Sequence, residues 1–577
     1  MAIEPAAAST VPGRGNATVA VALAAAFRRH GVEVMFGQSI PTSVYLATPQ
    51  FGIRQVAYRA ENAGGVMADG YARATGKVGV VTAQNGPAAT LLVAPLAESL
   101  KASIPVVALV QDVARGTADR NAFQELDHFA LFSGVAKWVR RIDRADRVDA
   151  YVDMAFTAAA TGRPGPAVLL VSADMFGEAA DATTARTTAL GTWPLDRVAP
   201  DPERIAFAAD LLANAQHPLI WAGGGVHSSQ AWAALAALQQ AAHLPVGTTA
   251  MGKGAVAETH PLTLGVIGYF MGARSRTHAM RPMLDRADVV LLVGNRTNQN
   301  GTDSWKLFPA GKTFIHLDID GQEVGRNYES IRLVGDAKLG LEALAAALKS
   351  RDLARRAAAR PALEAEIAGA LAKHRDAAAD VTLSDAAPVR PERLMADLAR
   401  VLTPDSIVVA DASYSSIWVC NYLTATRAGQ RFLTPRGIAG LGWGLPMAIG
   451  AKIGKPDAPV ICLAGDGGFA HCWAELETAR RMGTNIPVIV LNNQVLGYQK
   501  DAEDVIFGAH TDAVDFAPVD HAAIARACGC HGVRIERAAD FLPALTAALA
   551  ADRPTVIDVL SDPAARPPLT FYDGAFT

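Results

Sequence analysis

Cysteine is scarce in this 577-residue chain, and the five present, Cys420, Cys462, Cys472, Cys528 and Cys530, all fall in the last third. An odd, sparse set makes no disulfide framework. Cys528-Gly529-Cys530 has no further ligands nearby for a metal, so it reads as packing. A charge surplus is also missing. The 53 basic and 56 acidic residues leave a net charge of −3, which excludes the basic footprint of a nucleic-acid or membrane-surface binder. No run of about 20 uninterrupted apolar residues is available to span a bilayer, and Met1–Gly15 has no apolar signal core. These absences point to a cytoplasmic protein with a short disordered lead.

What is present reads as an α/β enzyme. Half the residues are hydrophobic and 19% are charged, the composition of an ordinary globular chain. The length exceeds one core and suggests three or four domains. From Thr18 onward, helix-like and strand-like segments alternate, which implies parallel sheets. The expected architecture is three doubly wound parallel-sheet domains, at residues 16–185, 195–348 and 391–577. Gly177–Arg204, rich in Ala, Thr, Asp and Pro, reads as a linker. Residues 349–390, with a helical period and no strand, read as a solvated connecting helix and linker. Within the blocks the pattern predicts one helix over Ala88–Leu100 and another over Trp473–Met482.

The stretch Gly465–Asn493 carries the chemistry. An apolar strand, Val460–Ala464, leads into Gly465-Asp466-Gly467-Gly468, and a second, Pro487–Leu491, ends in Asn492-Asn493. Asp466 and Asn493 lie 493 − 466 = 27 positions apart, one crossover unit, so both reach the same rim of a parallel sheet, where ligands bind. A carboxylate, an amide oxygen and a backbone carbonyl just beyond, at Val495, form a hard-oxygen set that suits Mg²⁺. Gly467 and Gly468 let backbone N–H groups approach phosphate at the helix start. Alone, Gly-Asp-Gly is most often a tight turn, but turn chemistry does not require the second half of the unit.

Gly-Asp-Gly, some two dozen residues, then Asn-Asn is similar to the thiamine diphosphate (ThDP) motif of the decarboxylase and acetohydroxyacid synthase superfamily. The resemblance covers about Thr18 to Asp562. It implies that Asp466, Asn493 and the Val495 carbonyl bind Mg²⁺. It also makes the three blocks pyrimidine-binding, middle and diphosphate-binding domains. Glu61, followed by Ala68-Asp69-Gly70-Tyr71-Ala72-Arg73, resembles the family's cofactor-activating motif, with Ala60 where the family often has His. That role needs a carboxylate of raised pKa in a dry site, and Ala60–Ala68 is nearly uncharged. A glutamate at a helix start is otherwise a dipole-favoured cap. Asn121–Asp127 resembles the family's Ala-Phe-Gln-Glu loop, which makes Phe123 and Gln124 substrate-side residues, with a plain surface loop as the alternative. Gln84 and Asn85 stand where the synthases carry serine and glycine.

Ser413, Tyr414 and Ser415 match the family's diphosphate loop by position, and their hydroxyls can donate to phosphate. In Gly437–Pro446, Leu441 fits the apolar support beneath the cofactor, and the Ala439 carbonyl faces its amino group. Gln499 and His471 are candidates for substrate contacts, and Pro563–Thr577 reads as a loop covering the site. In the middle block, Gly223-Gly224-Gly225 after a strand, with Asp318 and Asp320, is a weak nucleotide hint. By resemblance it stands for FAD, ADP or no nucleotide at all. Asn295–Gly301 departs from the synthases' flavin-touching segment, so FAD or another adenine nucleotide is a candidate there and no more.

The resemblance implies a homodimer or homotetramer, because Glu61 and Asp466 lie in separate domains and the family's cofactor bridges two chains. It implies C–C bond cleavage or formation next to a carbonyl, foremost acetolactate synthase-like decarboxylating carboligation of 2-oxo acids. The alternative is a 2-oxo acid decarboxylase or an acyl-CoA lyase of the oxalyl-CoA or benzoylformate kind. The lack of an adjacent His-His pair argues against a pyruvate decarboxylase-like site. A catalytically idle, ThDP-binding homologue is the reading from a different class.

Overall fold

The computed structural model describes residues 17–573; the disordered lead expected over Met1–Gly15 and the last four residues of the expected covering loop lie outside them. Eighteen strands form three six-stranded sheets. The first holds β1 (Val34–Phe36), β2 (Arg54–Val56), β3 (Gly79–Ala83), β4 (Val106–Asp112), β5 (Trp138–Ile142) and β6 (Pro166–Ser172). The second holds β7 (Leu219–Ala222), β8 (Val246–Thr248), β9 (Thr263–Val266), β10 (Val289–Val293), β11 (Thr313–Asp318) and β12 (Ser330–Val334). The third holds β13 (Ile407–Ala410), β14 (Phe432–Leu433), β15 (Val460–Gly465), β16 (Pro487–Asn492), β17 (His531–Ile535) and β18 (Thr555–Leu560). Adjacent strands pair in parallel throughout. The central strands are largely apolar on both faces and buried, as in β10 and β16, because helices cover both sides.

Strand order separates the sheets into two kinds. The first runs β2-β1-β3-β4-β6-β5, and the third repeats it as β14-β13-β15-β16-β18-β17. In each, the order reverses between the first and third strands. The second runs β12-β11-β10-β7-β8-β9, the dinucleotide-fold order with its reversal between β7 and β10. Such reversals leave crevices at the carboxyl ends of the strands. By compactness the chain divides into two units. One holds residues up to Leu195 apart from Arg73–Gly76, and the other holds Arg73–Gly76 and everything from Asp196. No helix among the described residues is long and apolar enough to cross a membrane.

Three expectations need correction. The predicted helix over Ala88–Leu100 is two helices, Pro87–Leu91 and Val93–Ala102. The run Trp473–Met482 contributes only Glu475–Arg481, after a short helix Asp466–Ala470. The connecting helix, Ala354–Thr382, is not solvated all round. It buries Ile367 and Ala370 against Met283, Leu284 and Phe314 of the second sheet's helical layer and strands, a narrow stripe that its Ala-rich sequence disguises.

Candidate active site

The reversal of the third sheet lies between β13 and β15. Its crevice opens into a cavity of about 530 Å³. The cavity gathers residues that follow three strands: Ser413, Tyr414 and Ser415 after β13, Gly465 to Gly468 after β15, and Asn493 and Val495 after β16. Ala439, Leu441 and Gln499 line it as well. His471 does not. It is exposed just past the helix Asp466–Ala470, outside the lining, because that helix stops after one turn, one residue before it.

Asp466 is held by both carboxylate oxygens. Oδ1 accepts the Gly467 N–H at 2.9 Å, and Oδ2 accepts the Gln494 N–H at 2.7 Å. Asn493 Oδ1 accepts the Val495 N–H at 3.3 Å. These bonds stitch the ends of β15 and β16 together and require Gln494 to take a left-handed φ of 60°. Burial pushes the Asp466 carboxyl up to about 6, and the negative charge of Asp558 pushes the same way. A buried carboxylate without a cationic neighbour to compensate it fits a cation. Among the described residues no three His, Cys, Asp or Glu side chains converge as a metal cluster. The donors here are instead one carboxylate, an amide and a carbonyl, which suit a hard ion that shares its shell with phosphate and water.

The two glycines have a steric cause beyond phosphate approach. A Cβ on Gly467 would stand 2.8 Å from both Leu496 Cδ2 and Phe516 Cε2, and one on Gly468 would stand 2.3 Å from Asp411 Oδ2. Asp411, which sequence reasoning passed over, is the hub of the crevice. Its carboxylate accepts N–H bonds from Ala412 (2.8 Å), Gly442 (3.0 Å) and Trp443 (3.1 Å), fixing the Gly-rich segment that carries Ala439 and Leu441. Burial pushes its carboxyl to about 6 against those bonds. An acid directly after a strand, ahead of a polar loop, was the available signal.

Two placements differ from the expected phosphate-donor roles. The Tyr414 hydroxyl is already bonded to Asp501 and Tyr572, and Arg566 Nε pairs with Asp501 Oδ1 at 3.0 Å. Tyr414 is thus tied to the C-terminal segment. Ser413 caps the helix Tyr414–Tyr422 through its backbone alone, at φ 67° and ψ −142°, a region that favours glycine. Ser413→Gly is therefore expected to stabilise the protein by about 1 kcal/mol, read as a rise in the thermal midpoint.

In the unit that ends at Leu195, Glu61 is half-buried at the first position of the helix Glu61–Thr75. That helix start is pressed into its neighbours. A Cβ on Gly64 would strike the Tyr58 ring at 2.1 Å, and one on Gly65 would meet Pro95 at 2.6 Å. Tyr58 in turn donates to the Thr82 carbonyl at 2.7 Å, at the end of β3. The loop after β3 is welded to the Asn121–Asp127 loop. Gln84 Nε2 donates to Gln124 Oε1 at 3.0 Å, and Asn85 Nδ2 donates to the carbonyls of Phe123 and Gln124 at 3.2 and 3.1 Å. Gln124 sits at φ 62° beneath Gly86, where a Cβ would meet it at 2.6 Å. The Phe123 side chain is 83% exposed at the loop tip.

Below this loop pair lies His128, fully buried. Its Nε2 accepts the Gly86 N–H at 2.9 Å, so Nδ1 carries the proton and donates to Asp112 Oδ1 at 3.0 Å. The imidazole is neutral. Burial raises the Asp112 carboxyl, but bonds from His128, the Val113 N–H and Arg141 outweigh that and hold it below the usual range. Neither residue was legible as functional, because 16 positions separate them and only the fold joins them. His128→Leu strands the Gly86 N–H and is expected to cost about 1–3 kcal/mol, with faster hydrogen exchange at Gly86 as the local readout.

In the second sheet, the glycines after β7 are used by packing. A Cβ on Gly223 would lie 2.3 Å from the Gly294 carbonyl oxygen, and one on Gly225 would lie 2.5 Å from Gly294 Cα. Asp318 Oδ1 accepts the Asp320 N–H at 2.9 Å, shaping the end of β11.

The site so built, with a carboxylate and an amide at adjacent strand ends and a helix start beside them, is that of a diphosphate-binding enzyme. Comparison with known proteins agrees. Residues 17–131 match the N-terminal TPP binding domain of thiamine pyrophosphate enzymes, 205–344 the central domain, and 411–559 the C-terminal TPP binding domain. The chain belongs to the thiamine pyrophosphate (ThDP) enzyme family.

Within that family it resembles acetolactate synthase large subunits over nearly its whole length. A probable acetolactate synthase large subunit of Methanococcus aeolicus is 31% identical over 565 residues, covering 94% of this chain and 92% of that protein. A probable large subunit of Methanocaldococcus jannaschii is 31% identical, covering 97% and 94%. The acetolactate synthase isozyme 2 large subunit of Escherichia coli is 30% identical, covering 93% and 94%.

Proposed function

We propose that this protein is a cytoplasmic, ThDP- and Mg²⁺-dependent enzyme that joins 2-oxo acids by decarboxylating carboligation, in the manner of an acetolactate synthase. The observation that carries the reading is the cavity at the reversal of the third sheet, which collects Asp466, Asn493, Val495, Ser413, Ala439 and Leu441. Bound ThDP supplies an electron sink for the loss of CO₂ from a 2-oxo acid. Asp466, the Asn493 amide and the Val495 carbonyl hold Mg²⁺ for the diphosphate. Leu441 would support the cofactor, and the Ala439 carbonyl would accept from its amino group. Glu61 would face the pyrimidine with its carboxyl group. Gln124, braced by Gln84 and Asn85, presents its amide on the substrate side, with Phe123 beside it. The active species is a homodimer or homotetramer, and the middle domain is the candidate place for FAD or another adenine nucleotide.

A second reading, a 2-oxo acid decarboxylase or acyl-CoA lyase, draws support from the Gln84–Gln124 amide pair, which makes the substrate side more polar than the synthases' serine and glycine. The test is a visible absorption spectrum of the purified protein, then incubation with pyruvate, ThDP and Mg²⁺. A flavin spectrum and acetolactate formation support the synthase reading. Absence of both, with CO₂ released from another 2-oxo acid or an acyl-CoA, moves the assignment to the second reading.

A further inference from the structure

Arg436 enters the same cavity from the segment after β14, on the side walled by Tyr269 and Asn300. Its Nη1 donates to the Tyr269 hydroxyl at 3.2 Å, and its Nη2 donates to Ser416 Oγ. The guanidinium carbon lies 5.6 Å from the centre of the Phe270 ring. Nε is shielded from water and has no partner. The groups that act on it most are Tyr269, Cys420 and Tyr498, two phenols and a thiol, and burial pushes Cys420 and Tyr498 up, away from their charged forms. A guanidinium stays charged in every accessible condition, and a shielded charge without a counter-ion is costly. Elsewhere the fold does supply one: Lys253, fully buried, has Glu258 at 2.8 Å. Arg436 is placed, oriented and left without an anion, in the wall of a cavity large enough for a ligand.

Two anions can reach that wall, the cofactor's diphosphate and the substrate. On the ThDP reading, the diphosphate would have the cation at Asp466 and the helix start at Tyr414. The carboxylate of a 2-oxo acid that leaves as CO₂ is a poor match, because pairing it with a cation stabilises the ground state and not the transition state. An anionic group that the substrate keeps throughout has no such conflict. Resting on the ThDP reading above, we propose that Arg436 is a specificity residue that takes a second, retained anionic group. The site then favours 2-oxo acids with a distal carboxylate or sulfonate over pyruvate.

The test uses the protein loaded with ThDP and Mg²⁺. CO₂ release is followed from pyruvate, 2-oxoglutarate and 3-sulfopyruvate, in the unaltered protein, Arg436→Gln and Arg436→Lys. The unaltered protein is expected to prefer a doubly charged acid. Arg436→Gln should lower kcat/KM for that acid by about ten- to a hundredfold, mostly through KM, and far more than for pyruvate. Arg436→Lys should recover part of the loss. Calorimetric titration with glutarate against acetate reads the same anion site without turnover, and glutarate binding should vanish in Arg436→Gln. The proposal is overturned by a preference for pyruvate in the unaltered protein, or by equal losses for singly and doubly charged acids. It is also overturned by a loss confined to the affinity for ThDP or for a bound flavin or adenine nucleotide. Failure of the ThDP reading looks different: ThDP does not bind at all, while the glutarate titration still reports on Arg436.

Discussion

Replacing Glu61 by glutamine is expected to lower turnover by about a hundred- to ten-thousandfold while ThDP and Mg²⁺ still bind. Glutamine keeps the size of the side chain and one acceptor oxygen but cannot carry a transferable proton at that atom. The helix Glu61–Thr75 should survive the change. Its start is set by Gly64 against Tyr58 and Gly65 against Pro95, contacts the substitution does not touch. Glu61 is also the acid in the first turn, so losing its charge costs about 0.3–1 kcal/mol through the helix dipole. A small drop in melting temperature beside a large drop in kcat is the expected pair of results. Cofactor binding is read separately, by quenching of tryptophan fluorescence on addition of ThDP, since Trp418 lines the cavity. Unchanged turnover would remove Glu61 from the chemistry. No turnover in either protein would favour a binding homologue without catalysis.

The contrast between Glu61 and His128 shows what a sequence can and cannot announce. Val460–Gly465 and Pro487–Asn492 are continuous apolar runs, and buried parallel strands produce such runs. Asp466 and Asn493 follow them directly, so strand, rim and chemistry were readable together. The sheet orders were not, because which crossover turns back depends on packing between segments that are not neighbours in sequence. Asp112 and His128 stand on different elements, and their pairing exists only once β4 and the helix His128–Ser133 are set. Arg436 gave no signal in the sequence, because Tyr269, which follows a strand of the second sheet, comes to lie against it only in the fold. His471 went the other way. Near Gly468 in sequence it read as a substrate contact, but the helix Asp466–Ala470 is a single turn and leaves it exposed. Local pattern therefore conveys rim residues well, and it misses side chains that meet across elements or turn away at the end of a short helix.

Asp466→Asn is expected to weaken ThDP binding in the presence of Mg²⁺ by more than about a hundredfold and, with it, to abolish turnover at ordinary cofactor concentrations. The amide retains one oxygen, which can keep the Gln494 or the Gly467 N–H but not both, and the remaining NH₂ faces a donor. More importantly, the carboxylate charge that draws the cation is gone. Stability should respond differently with and without cofactor. In the metal-free protein, burial pushes the Asp466 carboxyl up to about 6, so the folded state holds the proton more tightly than the unfolded chain. The ionised form then opposes folding, with the penalty growing as pH rises from about 4 through about 6 and fully present at pH 7. A neutral side chain removes that penalty and offsets the lost hydrogen bond, so the metal-free variant should melt close to the unaltered protein. With Mg²⁺ and ThDP added, the unaltered protein gains stability by mass action and the variant does not. Paired thermal melts with and without the two ligands decide the matter. Equal ligand-induced shifts in both proteins would place the cation elsewhere, and a collapse of the metal-free variant would mean that the carboxylate's bonds to Gly467 and Gln494 outweigh its desolvation.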